Sequence, residues 1–172
     1  MAWERRRNSA SRVWLLRGEG NCPGRFRMPT ILVVDNEPEI LTVFGMALEW
    51  QGYGTLISSD GVTGLQFAAR SVPDLIVTDW NMPGMDGVEL CRRLKSFPGL
   101  APIPVIMVSG SRPEIPDQPL WDFFLYKPVD LEILETAVAL LVLSRPSREM
   151  LGPICIDRAV SRWQPVPSAC TV

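Results

Sequence analysis

Five short apolar runs alternate with helix-length segments between residues 31 and 144, and no other feature constrains the fold as tightly. The runs are Ile31-Leu32-Val33-Val34, Thr55-Leu56-Ile57, Leu75-Ile76-Val77-Thr78, Val105-Ile106-Met107-Val108 and Phe123-Phe124-Leu125-Tyr126. Four of these runs read as buried strands, and Thr55-Leu56-Ile57 as a weaker one. A helix is expected from about Glu37 to Trp50, where Ile40, Leu41, Phe44, Ala47 and Leu48 are spaced to bury one face. Gly52-Tyr53-Gly54 ends it. Further helices are expected from near Val62 to Arg70, from Val88 to about Ser96 with Leu90 and Leu94 inward, and from an N-cap at Asp130 to about Ser144. Strands alternating with helices imply a parallel sheet covered on both faces. Between Ser111 and Gln118 the pattern fails. Pro113, Pro116 and Pro119 each remove a donor and fix φ, so no regular helix is expected there.

Four of the runs lead straight into a side chain that can do chemistry: Asp35, Asp79, Ser109 and Lys127. In an open parallel α/β sheet, ligands gather outside the carboxyl ends of the strands, near the point where strand order reverses. Two carboxylates, a hydroxyl and an ammonium meeting there suit Mg²⁺ and a phosphoryl group. Singly, each has a plainer explanation. Asp35 could be only the N-cap of the next helix, as Asp86 and Asp130 are expected to be, and Lys127 a solvated strand end. Four such coincidences at four strand ends are harder to dismiss.

Composition narrows the classes. In a chain of 172 residues, 47% apolar and 21% charged residues are ordinary for one globular domain. The net charge of −2 is unevenly spread. Residues 1–27 carry seven Arg against two Glu, residues 28–144 six basic against fifteen acidic side chains, and residues 145–172 four Arg against two acids. The acidic middle argues against a nucleic-acid footprint, which needs clustered Lys and Arg. There is no His, and Cys22, Cys91, Cys155 and Cys170 show no C-x-x-C spacing. That disfavours a zinc site or a histidine-dependent catalytic pair, and the cysteines read as reduced thiols. No apolar stretch reaches a membrane span, and Val13-Trp14-Leu15-Leu16 is too short for a signal-peptide core, so a cytoplasmic protein is expected.

Residues 1–27 lack periodicity and are expected to be a disordered basic extension; Met28 just before the first strand raises the alternative of a misplaced start. The segment 145–172, with Pro146, Pro153, Pro165 and Pro167, is expected to be a flexible tail. That leaves one domain over residues 28–144.

Val33-Val34-Asp35-Asn36-Glu37-Pro38, Asp79-Trp80-Asn81-Met82-Pro83-Gly84-Met85-Asp86-Gly87, Val108-Ser109-Gly110 and Tyr126-Lys127-Pro128 resemble the four signatures of response-regulator receiver domains of two-component systems, in the family's order and close to its spacing. The resemblance implies a (βα)5 flavodoxin-like, doubly wound parallel sheet with strand order 2-1-3-4-5. It makes Asp79 the phosphoryl acceptor and Mg²⁺ the cofactor. Asp35 would hold the metal directly or through water, and the backbone carbonyl of Asn81 would add an oxygen. Lys127 would pair with the phosphoryl group, and Ser109 would donate a hydrogen bond to it. Gly110 would leave the group a way in, and a cis Lys127–Pro128 bond is expected.

The chain also departs from the family. Receivers usually carry two consecutive acids after the first strand, and the second, which normally touches the metal, is here Asn36. An amide keeps one oxygen ligand but loses a full charge, so weaker Mg²⁺ binding and slower phosphorylation are expected, offset in part by Glu37. The interval from Ser109 to Lys127 is short and proline-rich, so the surface through which the family commonly signals must be remodelled. Trp121 stands where the family tends to have Ala, to cover the missing helix or to meet a partner. Phe124 matches an aromatic switch position, although Phe on a buried strand is more often plain core, the reading preferred for it. The apolar end of the last helix, Ala139 to Leu143, is either a docking face or a buried one. Asn81 and Ser111 sit where the family tunes the lifetime of the phosphoryl group.

The reading that follows is a stand-alone receiver, a signalling protein rather than a metabolic enzyme. It would take a phosphoryl group from a histidine kinase or phosphotransfer protein and alter its binding to another protein. Two rivals stand beside it. One is a phosphorylation-independent pseudo-receiver acting as an interaction module. The other is a flavodoxin-like nucleotide or flavin binder, for which Asn36-Glu37-Pro38 lacks a glycine-rich phosphate loop.

Overall fold

A computed structural model describes residues 28–111 and 118–144. The elements run β1 (Thr30–Val34), α1 (Pro38–Trp50), β2 (Gly54–Ser58), α2 (Gly61–Ser71), β3 (Leu75–Asp79), α3 (Gly87–Ser96), β4 (Val105–Ser109), β5 (Phe123–Tyr126) and α4 (Leu131–Ser144). The five strands pair in parallel in the order β2-β1-β3-β4-β5, the expected doubly wound flavodoxin-like topology. The expected extension at 1–27, the tail at 145–172 and the break at 112–117 lie outside the described residues.

Residue alternation explains why the central strands are apolar throughout. In β1, Ile31 and Val33 join the core beneath α1 and α4, while Leu32 and Val34 join the one beneath α2 and α3. In β3, Leu75 and Val77 face the first core and Ile76 the second. In β4, Ile106 and Val108 face the first, Val105 and Met107 the second. Successive side chains of a strand point to opposite faces, and both faces here are covered, so no position tolerates water.

Each helix begins and buries as local chemistry dictates. Leu41, Phe44, Gly45 and Leu48 form the buried stripe of α1, which starts with Pro38 in its first turn, where the missing N–H costs nothing. Asp60 caps α2 by accepting from the Thr63 amide at 2.8 Å, and Asp86 caps α3 by accepting from the Glu89 amide at 2.7 Å. The amide hydrogen bond at Asp60 holds its carboxyl below the ordinary range against a smaller opposing effect of burial. Asp130 accepts from the Glu132 amide at 2.8 Å ahead of α4. Gly84 turns the loop after β3 with φ of 80°, a conformation open to glycine.

One strand departs from expectation. β5 is not a buried strand: only Leu125 is buried, while Phe123 and Tyr126 are 39% and 48% exposed. As the last strand in the order it has a neighbour on one side only, so its apolar composition does not entail burial. The end of α4 is mixed, with Ala139, Leu141, Val142 and Leu143 partly covered and Leu140 exposed.

Candidate functional site

The strand order brings Asp35, Asp79 and Lys127 together. Asp35 follows β1, Asp79 ends β3 beside it, and Lys127 follows β5 across β4. Lys127 Nζ lies 2.9 Å from Asp35 Oδ2, 2.9 Å from Asp79 Oδ1 and 2.7 Å from Glu37 Oε1. The side chains of Asp35 and Asp79 are 3% and 5% exposed, whereas Glu37 is 55% exposed. The second oxygen of each buried acid takes a backbone amide: Glu37 N donates to Asp35 Oδ1 at 2.8 Å and Asn81 N to Asp79 Oδ2 at 2.7 Å. Asp35 is thus no mere cap, because the N-cap of α1 is Glu37, whose side chain makes no capping bond.

Burial pushes the Asp79 carboxyl up from its ordinary value, and the Lys127 ammonium opposes that shift without cancelling it. Burial disfavours the Lys127 charge as well. Hydrogen bonds to Glu37, Asp79 and Asp35 outweigh it and raise the Lys127 pKa above the ordinary lysine value.

Ser109 ends β4 fully buried, one residue past the register partner of Asp79. Its Oγ accepts from the Ser111 amide at 3.2 Å, and Ser111 Oγ lies 3.4 Å from both Ser109 Oγ and Asn81 Nδ2. Ser109, Ser111 and Asn81 therefore form a loose polar arc. Gly110 has open space where a Cβ would stand, and the Lys127–Pro128 bond is cis. Asn36 is exposed and takes no part in the ion pairs around Lys127.

The donor set suits Mg²⁺. Two buried carboxylates already share one cationic atom, the Asn81 carbonyl follows in the chain, and Mg²⁺ commonly needs only one or two carboxylates because it keeps several waters. No cage of three or more His, Cys, Asp or Glu side chains occurs among the described residues.

Phe124 is half-buried rather than plain core. Its ring lies 6.1 Å from Trp80, 6.2 Å from Trp121 and 5.0 Å from Tyr126, and Trp80 meets Trp121 edge-on at 5.2 Å. An edge strand leaves it one covered flank. Trp121, 7% exposed, belongs to the α2–α3 core. Two features escaped the sequence reading. Glu37 was expected to offset a missing charge, not to be the nearest partner of Lys127. Trp80 was seen only as a motif residue, though the proximity of two tryptophans across β3 and β5 needs the sheet order to be found.

A five-stranded parallel sheet in this order, with two acids and a lysine converging at its carboxyl edge, defines the receiver class. The profile of the response regulator receiver domain matches residues 31–139, and the chain belongs to that family. It is 34% identical over 120 residues to the DNA-binding dual master transcriptional regulator RpaA of Synechocystis, covering 67% of this chain and 49% of that protein. It is 30% identical over 141 residues to the transcriptional regulatory protein AfsQ1 of Streptomyces coelicolor, covering 77% and 61%. The chain thus spans about half to three-fifths of the length of these relatives. Among solved structures, the N-terminal domain of a response regulator receiver protein from Methanoculleus marisnigri is 33% identical with a TM-score of 0.55, covering 70% of this chain and all of that one. No helix among the described residues is long and apolar enough to cross a membrane.

Proposed function

We propose that this domain accepts a phosphoryl group on Asp79 from a histidine kinase or phosphotransfer protein and signals, in the cytoplasm, through changed binding to another protein. The observation that carries the reading is the shared hold of Lys127 on Asp35 and Asp79 at 2.9 Å each. It gathers a nucleophilic carboxylate, a second acid and a cation at one strand edge.

A carboxylate oxygen of Asp79 would attack phosphorus as the bond to the donor nitrogen breaks, leaving an acyl phosphate and a donor imidazole that takes a proton. The Asn81 amide holds the other carboxylate oxygen in place. Lys127 would turn its ammonium to the phosphoryl oxygens, and the Ser109 hydroxyl would donate to one of them. Asp35, Asp79 and the Asn81 carbonyl would hold Mg²⁺, with the exposed Asn36 amide a weak further ligand. Bound there, Mg²⁺ would supply charge neutralisation to the phosphoryl oxygens.

A second reading, a phosphorylation-independent interaction module, draws support from the neutral, exposed Asn36. The loop Asn36-Glu37-Pro38 gives no support to a nucleotide or flavin binder. Intact-mass spectrometry after incubation with a small-molecule phosphodonor, with and without Mg²⁺, separates the two readings. The proposed function requires a metal-dependent gain of one phosphoryl group that is lost in Asp79→Asn. No gain in the wild type but a gain in Asn36→Asp would favour the interaction module.

A further inference from the structure

Lys127 offers three ammonium protons, and three carboxylates take them. Two of those carboxylates are buried and form the candidate site; the third, Glu37, is exposed and the closest at 2.7 Å. Glu37 is well placed to hold on. Its amide is tied to Asp35 Oδ1 at 2.8 Å and Pro38 follows it, so its backbone is anchored at the head of α1. Its side chain caps nothing and is free for Lys127. The preceding residue, Asn36, carries no charge.

For a hard cation to share Asp35 and Asp79, the ammonium between them must give way. An ammonium retreating with no partner would pay for lost ion pairs as well as for movement. A carboxylate on the solvent side lets it retreat while still paired. We propose that Glu37 is a positioning residue that holds Lys127 as it yields the two buried carboxylates, and so sets how readily the site takes Mg²⁺. This rests on the metal-assisted phosphoryl reading of the same site. Glu37 acts through Lys127, not as a ligand.

The test is Mg²⁺ titration by calorimetry on the full chain, arranged as a double-mutant cycle. Glu37→Gln keeps the shape, removes the charge and lies at an exposed position. It should weaken Mg²⁺ binding about fivefold, the scale of one exposed ion pair. In a Lys127→Met background, where no ammonium competes, the same substitution should change affinity by less than about twofold. Lys127→Gln replaces Lys127→Met should the latter fail to fold. Equal losses in both backgrounds would make Glu37 a ligand or a plain field source and overturn the proposal, as would no loss in the single variant. Absence of Mg²⁺ binding by the wild type, with binding restored in Asn36→Asp, would instead overturn the metal reading itself, and this proposal with it.

Discussion

Replacing Lys127 with Met keeps most of the side-chain stem and removes the charge that two buried acids share. Both N–O distances are 2.9 Å, so the two bound oxygens of Asp35 and Asp79 lie no more than 5.8 Å apart. At that separation two unit charges repel by about 3 kcal/mol with an effective dielectric of roughly 20. Removing one member of a buried ion pair typically costs about 3–5 kcal/mol, which agrees. The repulsive part has a ceiling, because the variant can protonate Asp79. From an unfolded value of about 3.9, that costs about 4 kcal/mol at pH 7 and about 1.4 kcal/mol less for each pH unit down. Urea unfolding of Lys127→Met against wild type should therefore show a loss of about 3–4 kcal/mol at pH 7 that shrinks markedly by pH 5. In thermal melts the loss at pH 7 corresponds to roughly 10–15 °C. A loss under about 1 kcal/mol, or one independent of pH, would mean that water already screens the two acids and that Lys127 is not their shared counter-ion.

Asp79→Asn should raise the melting temperature at pH 7 while abolishing phosphoryl uptake. The folded carboxyl is shifted up by burial, so its favourable contribution is full only below the unfolded value and is lost as pH rises. Gly87→Ala would set a Cβ 2.2 Å from the backbone oxygen of Asp79, which cannot swing aside. A loss of about 1–3 kcal/mol and slower phosphoryl uptake are expected, from chemical melts and donor assays together. On the alkaline side, burial pushes the Cys91 thiol up to about 12 and the Lys127 ammonium is also raised. Both folded values exceed the unfolded ones, so stability should fall from about pH 8.5 upward, and Cys91→Ala should flatten the first part of that fall in a melting-temperature series. Trp121→Ala should cost about 3–5 kcal/mol yet leave Asp79 able to take a phosphoryl group, separating the aromatic cover from the chemistry.

Much of the fold was legible because its signals are local. Apolar runs of strand length, helix-stripe positions such as Leu41, Phe44 and Leu48, and caps at Asp86 and Asp130 depend on neighbours a few residues away. The same locality misled at β5. Phe123-Phe124-Leu125-Tyr126 has the composition of a buried strand, but burial depends on what flanks a strand, and this one lies at the sheet edge.

By itself the sequence determined the alternation of strands and helices, and it set Asp35, Asp79, Ser109 and Lys127 at strand ends, because backbone periodicity and side-chain placement are short-range properties. Only the tertiary structure decided which of these groups share charge. Lys127 is 92 residues from Asp35 in the chain, and β5 reaches β1 only across β3 and β4. An exposed glutamate at position 37, unremarked by any periodicity, becomes the nearest partner of that lysine through the same assembly. Ion pairing falls off with distance in space, and distance in space is what the strand order creates.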